Sequence, residues 1–576
     1  MKNYLCLIIV TVLLSIDANA SVVDRRKAEN IAKTFLNKKL SEDISAAGAK
    51  IRGGESFYDS PQYYIFNAED GEGFVIVSGE SDMLEVLAYS YDCALNLDDM
   101  HPALKGLLSC YSQAVDNIRN GIGSAEEYFG NEPALNTKKR SAGASKAVSP
   151  LCKCSWGQDK PYNRLCPQVD GKTCPTGCVA TAMAQIMYYY QWPKVGMGKE
   201  LYASGISGVG VIGSDFSQHY YDWEAMRATT NENLGDEKSA SAVSQLCYDC
   251  GIATRMKYGV DGSSTNDDLA MSALYTYFGY KASKIDLLFR SCYATQDEWN
   301  DVVKSFLDNG SPVLYGGYSN GDGGHEFLID GYNANGLFHV NWGWDGMSNG
   351  YYSIVSLAPS HSNAAFSVGQ TMVCGFEPDY SGEDITPRQW RMYMKNPPTV
   401  NEESVKLNES FDVCLNNVFN ASLTARTWTF AIGLYDKDDN QVAVITSTKN
   451  RNYTIKVLAS YGNTKFDLSA KIPVSIPNGD YTLRAVFRQS GHDDFILPNM
   501  EGGESLNRIP LRVKDGVAYF NMETLPVEGV KTHIVKETYY FGLDGRELKE
   551  PLKGRVCIKR EIMNDGSERV VKVFER

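Results

Sequence analysis

TGCVATAMAQIMYYYQWP, Thr176 to Pro193, is the stretch on which the fold turns. Thr176 is placed to cap a helix, Gly177 allows a tight entry, and Cys178 follows at the first or second helical position. From Val179 to Met187 nearly every residue is apolar or small, so this helix is expected to be buried on most of its circumference. Unpaired backbone N–H groups and the helix dipole at such a terminus favour a thiolate, which makes Cys178 a candidate nucleophile. The same pattern is also what simple core packing produces, so the chemistry depends on a base and a group that orients it.

Both are found downstream in GGYSNGDGGHEFLIDGYNANGLFHVNWGWDG, Gly316 to Gly346. A glycine-rich loop runs into a strand near His325, turns at Asn333 to Gly336, and returns as Leu337 to Trp344, a hairpin that sets the two strands side by side. His325 is the expected general base. Asn341 is placed to hold its imidazole, and Trp342 and Trp344 to shield that bond from water. His339 competes for the role of base, but it lies within a strand, whereas His325 follows the flexible loop that a substrate backbone could approach.

The motifs WGQDKPYN (Trp156 to Asn163), GCVATAMAQIM (Gly177 to Met187), GGHEFLIDGY (Gly323 to Tyr332) and HVNWGWDG (His339 to Gly346) together resemble the streptopain family of papain-like cysteine peptidases, in the family's order. YDWEAM (Tyr221 to Met226) and GSSTNDDLAMSAL (Gly262 to Leu274) are similar too. The resemblance implies a papain-like α+β fold, endopeptidase activity, and a preference for bulky apolar residues at the position before the cleaved residue. It implies Cys178 as nucleophile, His325 as base, Asn341 as orienter, Trp342 as its cover, and Gln158 as the side-chain partner of the Cys178 N–H in the oxyanion hole. One departure stands out. A small residue commonly follows the catalytic histidine in relatives, and here it is Glu326, harmless if strand alternation points it away and pKa-raising for His325 if it reaches the site.

Around this centre, 576 residues exceed one hydrophobic core, so several domains are expected. Residues 1–20 read as a signal peptide: a lysine, an apolar run from Leu5 to Ile16, and Ala18-Asn19-Ala20 before the cut. Residues 21–148 form a small α+β unit and linker, with helical faces at Ala28 to Leu36 and Pro102 to Ile122 and strands at Tyr63 to Phe66 and Phe74 to Val77. The resemblance makes this unit an inhibitory prodomain, and Lys138-Lys139-Arg140 an exposed place to cut, within Lys138 to Ser149. Residues 149–383 are the papain-like peptidase. Residues 384–514 carry short strands at 405–415, 427–435, 442–447, 453–457 and 481–487, as in an immunoglobulin-like β-sandwich, with Tyr481 at a tyrosine corner. Residues 515–576 are a C-terminal β module resembling sorting or attachment tails of secreted proteins from the Bacteroidetes group.

A net charge of −14 offers no basic surface for nucleic acid. Of 14 cysteines, Cys6 leaves with the leader, and the odd number remaining cannot all pair within the chain. Cys152, Cys154, Cys166, Cys174 and Cys178 match no zinc spacing, and Cys247 and Cys250 lack the flanking pattern of a redox site, so no metal or cofactor is expected. The function read from the sequence is a secreted, periplasmic or cell-surface cysteine endopeptidase made as a zymogen. Its partners are protein or peptide substrates and its own prodomain, with a cell-surface or host-protein attachment through the C-terminal β region. The alternatives are a catalytically silent protein or carbohydrate binder on the same scaffold, and a cysteine-dependent amidase or acyl transferase.

Overall fold

The computed structural model describes residues 22–40, 61–96, 100–130, 146–228, 236–319, 323–354, 370–420, 426–446, 452–455, 465–520, 535–541, 547–548, 556–563 and 568–574. The leader and the Lys138 to Arg140 cut site lie outside them.

Helix α1 (Arg25–Leu36) starts where the Asp24 carboxylate accepts the Lys27 N–H at 2.8 Å, and it buries Ala28, Ala32 and Leu36, four residues apart on one face. That face covers strands β1 (Tyr63–Asn67), β2 (Phe74–Ser78) and β3 (Val86–Ser90). Helices α2 (Pro102–Arg119) and α3 (Ala125–Phe129) complete the N-terminal part. The catalytic part supplies α4 (Cys178–Tyr190), α5 (Glu237–Ala253), α6 (Asp267–Tyr277) and α7 (Gln296–Asp308), with strands β4 (Asp286–Phe289), β5 (Val313–Ser319), β6 (Gly323–Tyr332), β7 (Phe338–Asn341), β8 (Gly350–Tyr352) and β9 (Thr371–Cys374).

These nine strands form one sheet, ordered β1-β2-β3-β8-β7-β6-β5-β9-β4. The N-terminal strands are therefore not a detached layer. β3 pairs antiparallel with β8, Tyr89 opposite Tyr351 and Ala88 opposite Tyr352, and the sheet continues across the seam. The core does the same: Leu104, Leu108 and Tyr111 of α2 pack with Val313, Tyr315, Val340 and Tyr352, and the Tyr111 hydroxyl lies 2.8 Å from the Ser353 carbonyl.

Strand alternation divides the catalytic side into two faces. Leu314, Leu328 and Val373 enter the core around α4, α5 and α6, whereas Val313, Tyr315, Ile329, Met372 and Cys374 enter the core under α2 and α7. Helix α4 is buried without interruption from Val179 to Met187, as its composition requires.

The C-terminal β region packs a seven-stranded and a three-stranded sheet around a common core that includes Phe411, Leu415, Trp428, Phe430 and Leu483. The run expected as one strand at 405–415 is two. Ser404–Lys406 joins the larger sheet and Phe411–Asn416 the smaller, because Asn408 at φ 69° turns the chain between them. The Tyr481 hydroxyl donates to the Pro477 carbonyl at 3.1 Å, the local bond of a tyrosine corner. A four-stranded sheet within residues 535–574 follows. Among the described residues, no helix is long and apolar enough to cross a membrane.

Candidate active site

Helix α4 brings Cys178 to its first position, and its cap is Gly177 rather than Thr176. Gly177 sits at φ 88°, and a Cβ there would press on the Met256 side chain, so glycine is required on both counts. The Thr176 hydroxyl is turned instead to Thr181 Oγ1, 2.7 Å away. The half-buried Cys178 thiol meets the backbone N–H groups of Glu326 and Val179, which lower its pKa. Burial is the larger influence and pushes the thiol up against them.

His325 is 8% exposed and makes no hydrogen bond to Cys178. Its Nε2 donates to the Trp342 carbonyl at 3.0 Å, and its ring lies 4.9 Å from that of Trp344 and 6.3 Å from that of Phe327, on the α2 side of the sheet. Burial, and then the neighbouring His101 ring, hold its pKa down at about 3, so the imidazole is neutral. Asn341 does not orient it here. Its amide donates to the Cys154 carbonyl at 2.6 Å, while its oxygen accepts from Gln185 Nε2 at 3.3 Å and from the Gly343 N–H at 3.2 Å. Trp342 stacks on Trp344 at 5.0 Å and covers His325 through its carbonyl as well as its ring. Gln158 borders the same cavity of about 270 Å³ as Cys178, His325 and Trp342. The nucleophile and base thus share one cavity and are not engaged with each other.

His325 is packed against a residue the sequence did not single out. His101, at the N-cap of α2, stacks on Trp344 at 3.7 Å and lies 5.0 Å from the His325 ring. Its Nδ1 accepts the Ala103 N–H at 3.2 Å, which requires the neutral ring, and burial lowers its pKa to about 4. Pro102, Ala103 and Leu107 follow it into the cavity. His339 is occupied elsewhere: its Nδ1 lies 2.6 Å from the fully buried Asp330, whose second oxygen accepts the Cys152 N–H at 2.8 Å. Glu326 faces away from His325, toward Asp267 and Cys178. Among the described residues no cluster of three or more His, Cys, Asp or Glu could hold a metal ion.

Comparison with known proteins fits this geometry. Residues 156–352 match the peptidase C10 family, and residues 20–115 match the Spi protease inhibitor family. The chain is a C10-type, papain-like cysteine protease with an inhibitory prodomain. This protease is 30% identical over 381 residues to the thiol protease/hemagglutinin PrtT of Porphyromonas gingivalis, a match covering 62% of this chain and 42% of that protein. It is 29% identical over 383 residues to streptopain of Streptococcus pyogenes, covering 62% of this chain and 92% of streptopain. Against a solved fragment of Prevotella intermedia prointerpain A it is 33% identical, with a TM-score of 0.46, covering 55% of this chain and 95% of that one. The protease is an α+β enzyme with a β-rich C-terminal extension, and the likeness is consistent with a secreted or surface-associated protein.

Proposed function

We propose that this protease is a secreted endopeptidase in its latent form, with Cys178 as nucleophile and His325 as its proton carrier once the prodomain has left. The observation that carries the reading is the cavity bordered by Cys178, His325, Gln158 and Trp342 and, on the prodomain side, by His101 and the first turn of α2. In the working state His325 faces Cys178 and takes its proton. The thiolate attacks the peptide carbonyl, and the oxyanion is held by the Cys178 N–H and the Gln158 amide. The imidazolium then protonates the leaving amine, and an acyl-enzyme remains. Water, deprotonated by His325, attacks that acyl group and returns the thiol. Asn341 is the orienter of the turned histidine, and Trp342 its cover.

The chain divides into a leader (1–20), prodomain and linker (21–148), peptidase (149–383), β-sandwich and C-terminal β module, the sandwich running past the expected end at 514 because Val517–Phe520 pairs with Ile509–Lys514 and Ser404–Lys406 in its larger sheet, with activation by a cut within Lys138 to Ser149. The last two regions are the natural candidates for surface or host-protein attachment, because their sequences show no Cys/His or paired-carboxylate constellation. Casein hydrolysis tests the core of the reading. The intact chain is inactive, the chain cut in the linker becomes active as the prodomain is degraded, and Cys178→Ala stays inactive throughout. Hydrolysis by uncut chain, or by Cys178→Ala, would refute it.

A further inference from the structure

Strand geometry allows only one of two consecutive residues to face a given side of a sheet. On β6, Phe327 and Ile329 lie on the α2 side, and His325 keeps their phase through its contacts with Phe327, Trp342 and Trp344. Leu328 enters the α4 core, and Glu326 shares its phase, so the residue presented to Cys178 is Glu326. The pairing with β5 is unbroken from Gly323 to Ile329, with Glu326 opposite Gly316, and Gly316 is in turn opposite Thr371 of β9.

The place Glu326 occupies is shaped for it. Gly316 leaves the space, since a Cβ there would overlap Glu326 Oε1. The carboxyl lies within electrostatic reach of Asp267 at the start of α6, and Asp267 accepts from the Thr371 hydroxyl. Burial first, and then Asp267, push Glu326 far above the usual carboxylate range, so it is a neutral acid with a proton to donate. Its Oε2 is buried without a partner, an unmade bond that stability alone does not favour.

From this arrangement we infer that Glu326 is a positioning residue for His325: its carboxyl, seated over Gly316 beside Asp267, holds β6 with His325 on the face away from Cys178. The inference rests on Cys178 and His325 being the reacting pair. Turning His325 toward Cys178 requires the strand to roll over between Gly324 and Phe327, and Glu326 must then leave Asp267. Gly317 and Gly324 flank the histidine and place no side chain in the way of that roll. The unpartnered oxygen gains water on leaving, so the seated state is one the chain can give up. The prodomain blocks the site from one face and Glu326 from the other.

The test reads the reactivity of Cys178 toward iodoacetamide at pH 6 in the full, uncut chain, with the labelled peptide identified by mass. At this pH a lone thiol is nearly inert, while one paired with imidazole is reactive. Glu326→Ala is expected to raise the labelling rate about tenfold or more over the natural chain, as His325 becomes free to face the thiol. Glu326→Gln, whose amide fills the same space over Gly316 and offers Asp267 an N–H, is expected to label like the natural chain. Gly316→Ala evicts the carboxyl without touching it and is expected to behave as Glu326→Ala does, which keeps the test open if one variant folds poorly. Equal slow labelling in folded Glu326→Ala and Gly316→Ala, or fast labelling in Glu326→Gln, would overturn the inference. Peptide hydrolysis by the cut enzymes separates the two claims. Inactivity of the cut natural enzyme refutes the peptidase reading itself, whereas inactivity of cut Glu326→Ala alone refutes only the positioning role.

Discussion

Lowering the pH should loosen the prodomain's hold on the site, and His101 should account for a measurable part of the effect. Docked against Trp344, with Nδ1 accepting the Ala103 N–H, the ring must be neutral, and burial followed by Lys105 lowers its pKa from 6.5 to about 4. A proton on Nδ1 would remove the cap of α2 and set a cation at the positive end of its dipole. A histidine whose pKa is depressed in the docked state contributes stability that is complete above 6.5 and is lost as the pH falls through about 4. At pH 5 the full shift corresponds to about 2 kcal/mol. The ring is only half-buried, and discounting for screening on its open side leaves about 1 kcal/mol, or roughly five- to tenfold in the opening equilibrium. Hydrogen exchange over the first turns of α2, measured in an uncut Cys178→Ala chain at pH 7.5 and 5 and corrected for intrinsic rates, reads that equilibrium. His101→Phe keeps a ring over Trp344 without a titrating nitrogen, and its protection should fall by five- to tenfold less than the parent's. Since the titration of His325 is common to both chains, equal losses of protection would refute the reasoning.

Three further outcomes are expected. Gln158→Ala should lower kcat/KM of the cut enzyme about 10²- to 10³-fold with KM little changed, as removal of an oxyanion donor does, and a pure KM effect in peptide hydrolysis would contradict that role. Asp330→Ala should cost about 2–3 kcal/mol, because it strands the buried Cys152 N–H and His339, and differential scanning calorimetry should show the melting temperature falling by several degrees. A cut confined to the linker should leave the prodomain attached at neutral pH, because β3 remains paired with β8 and the α2 core is shared; two separate peaks on gel filtration would contradict this.

Much of the site was legible because its signals are local. A run of almost wholly apolar or small residues from Val179 to Met187 reads as a buried helix, and a glycine-flanked histidine ahead of an Asn-Gly turn reads as a hairpin. Short-range competition explains the smaller misses. Thr176 could cap α4 by type, yet Thr181, five residues on, takes its hydroxyl. Leu407-Asn408-Glu409 interrupts what a hydrophobic window reads as one strand. The larger misses are long-range. Nothing in Val86 to Ser90 announces that its partner strand begins at Gly350, so the first unit looked separable when it is part of the same sheet. His101 precedes a proline at a helix start, an ordinary local context, and only the fold sets it on Trp344. Asn341 lies on the strand beside His325, and its amide is spent on the Cys154 carbonyl and Gln185 in this state, partners that no window of sequence around the hairpin contains.

The central claim, that Cys178 is the nucleophile of a papain-like protease, is tested most directly by titrating the cut protein with an epoxide inhibitor of papain-like enzymes and locating the adduct by mass. One equivalent should bind, on Cys178 alone, with loss of casein hydrolysis in proportion. An adduct on any other cysteine, or hydrolysis that survives full labelling of Cys178, would contradict it.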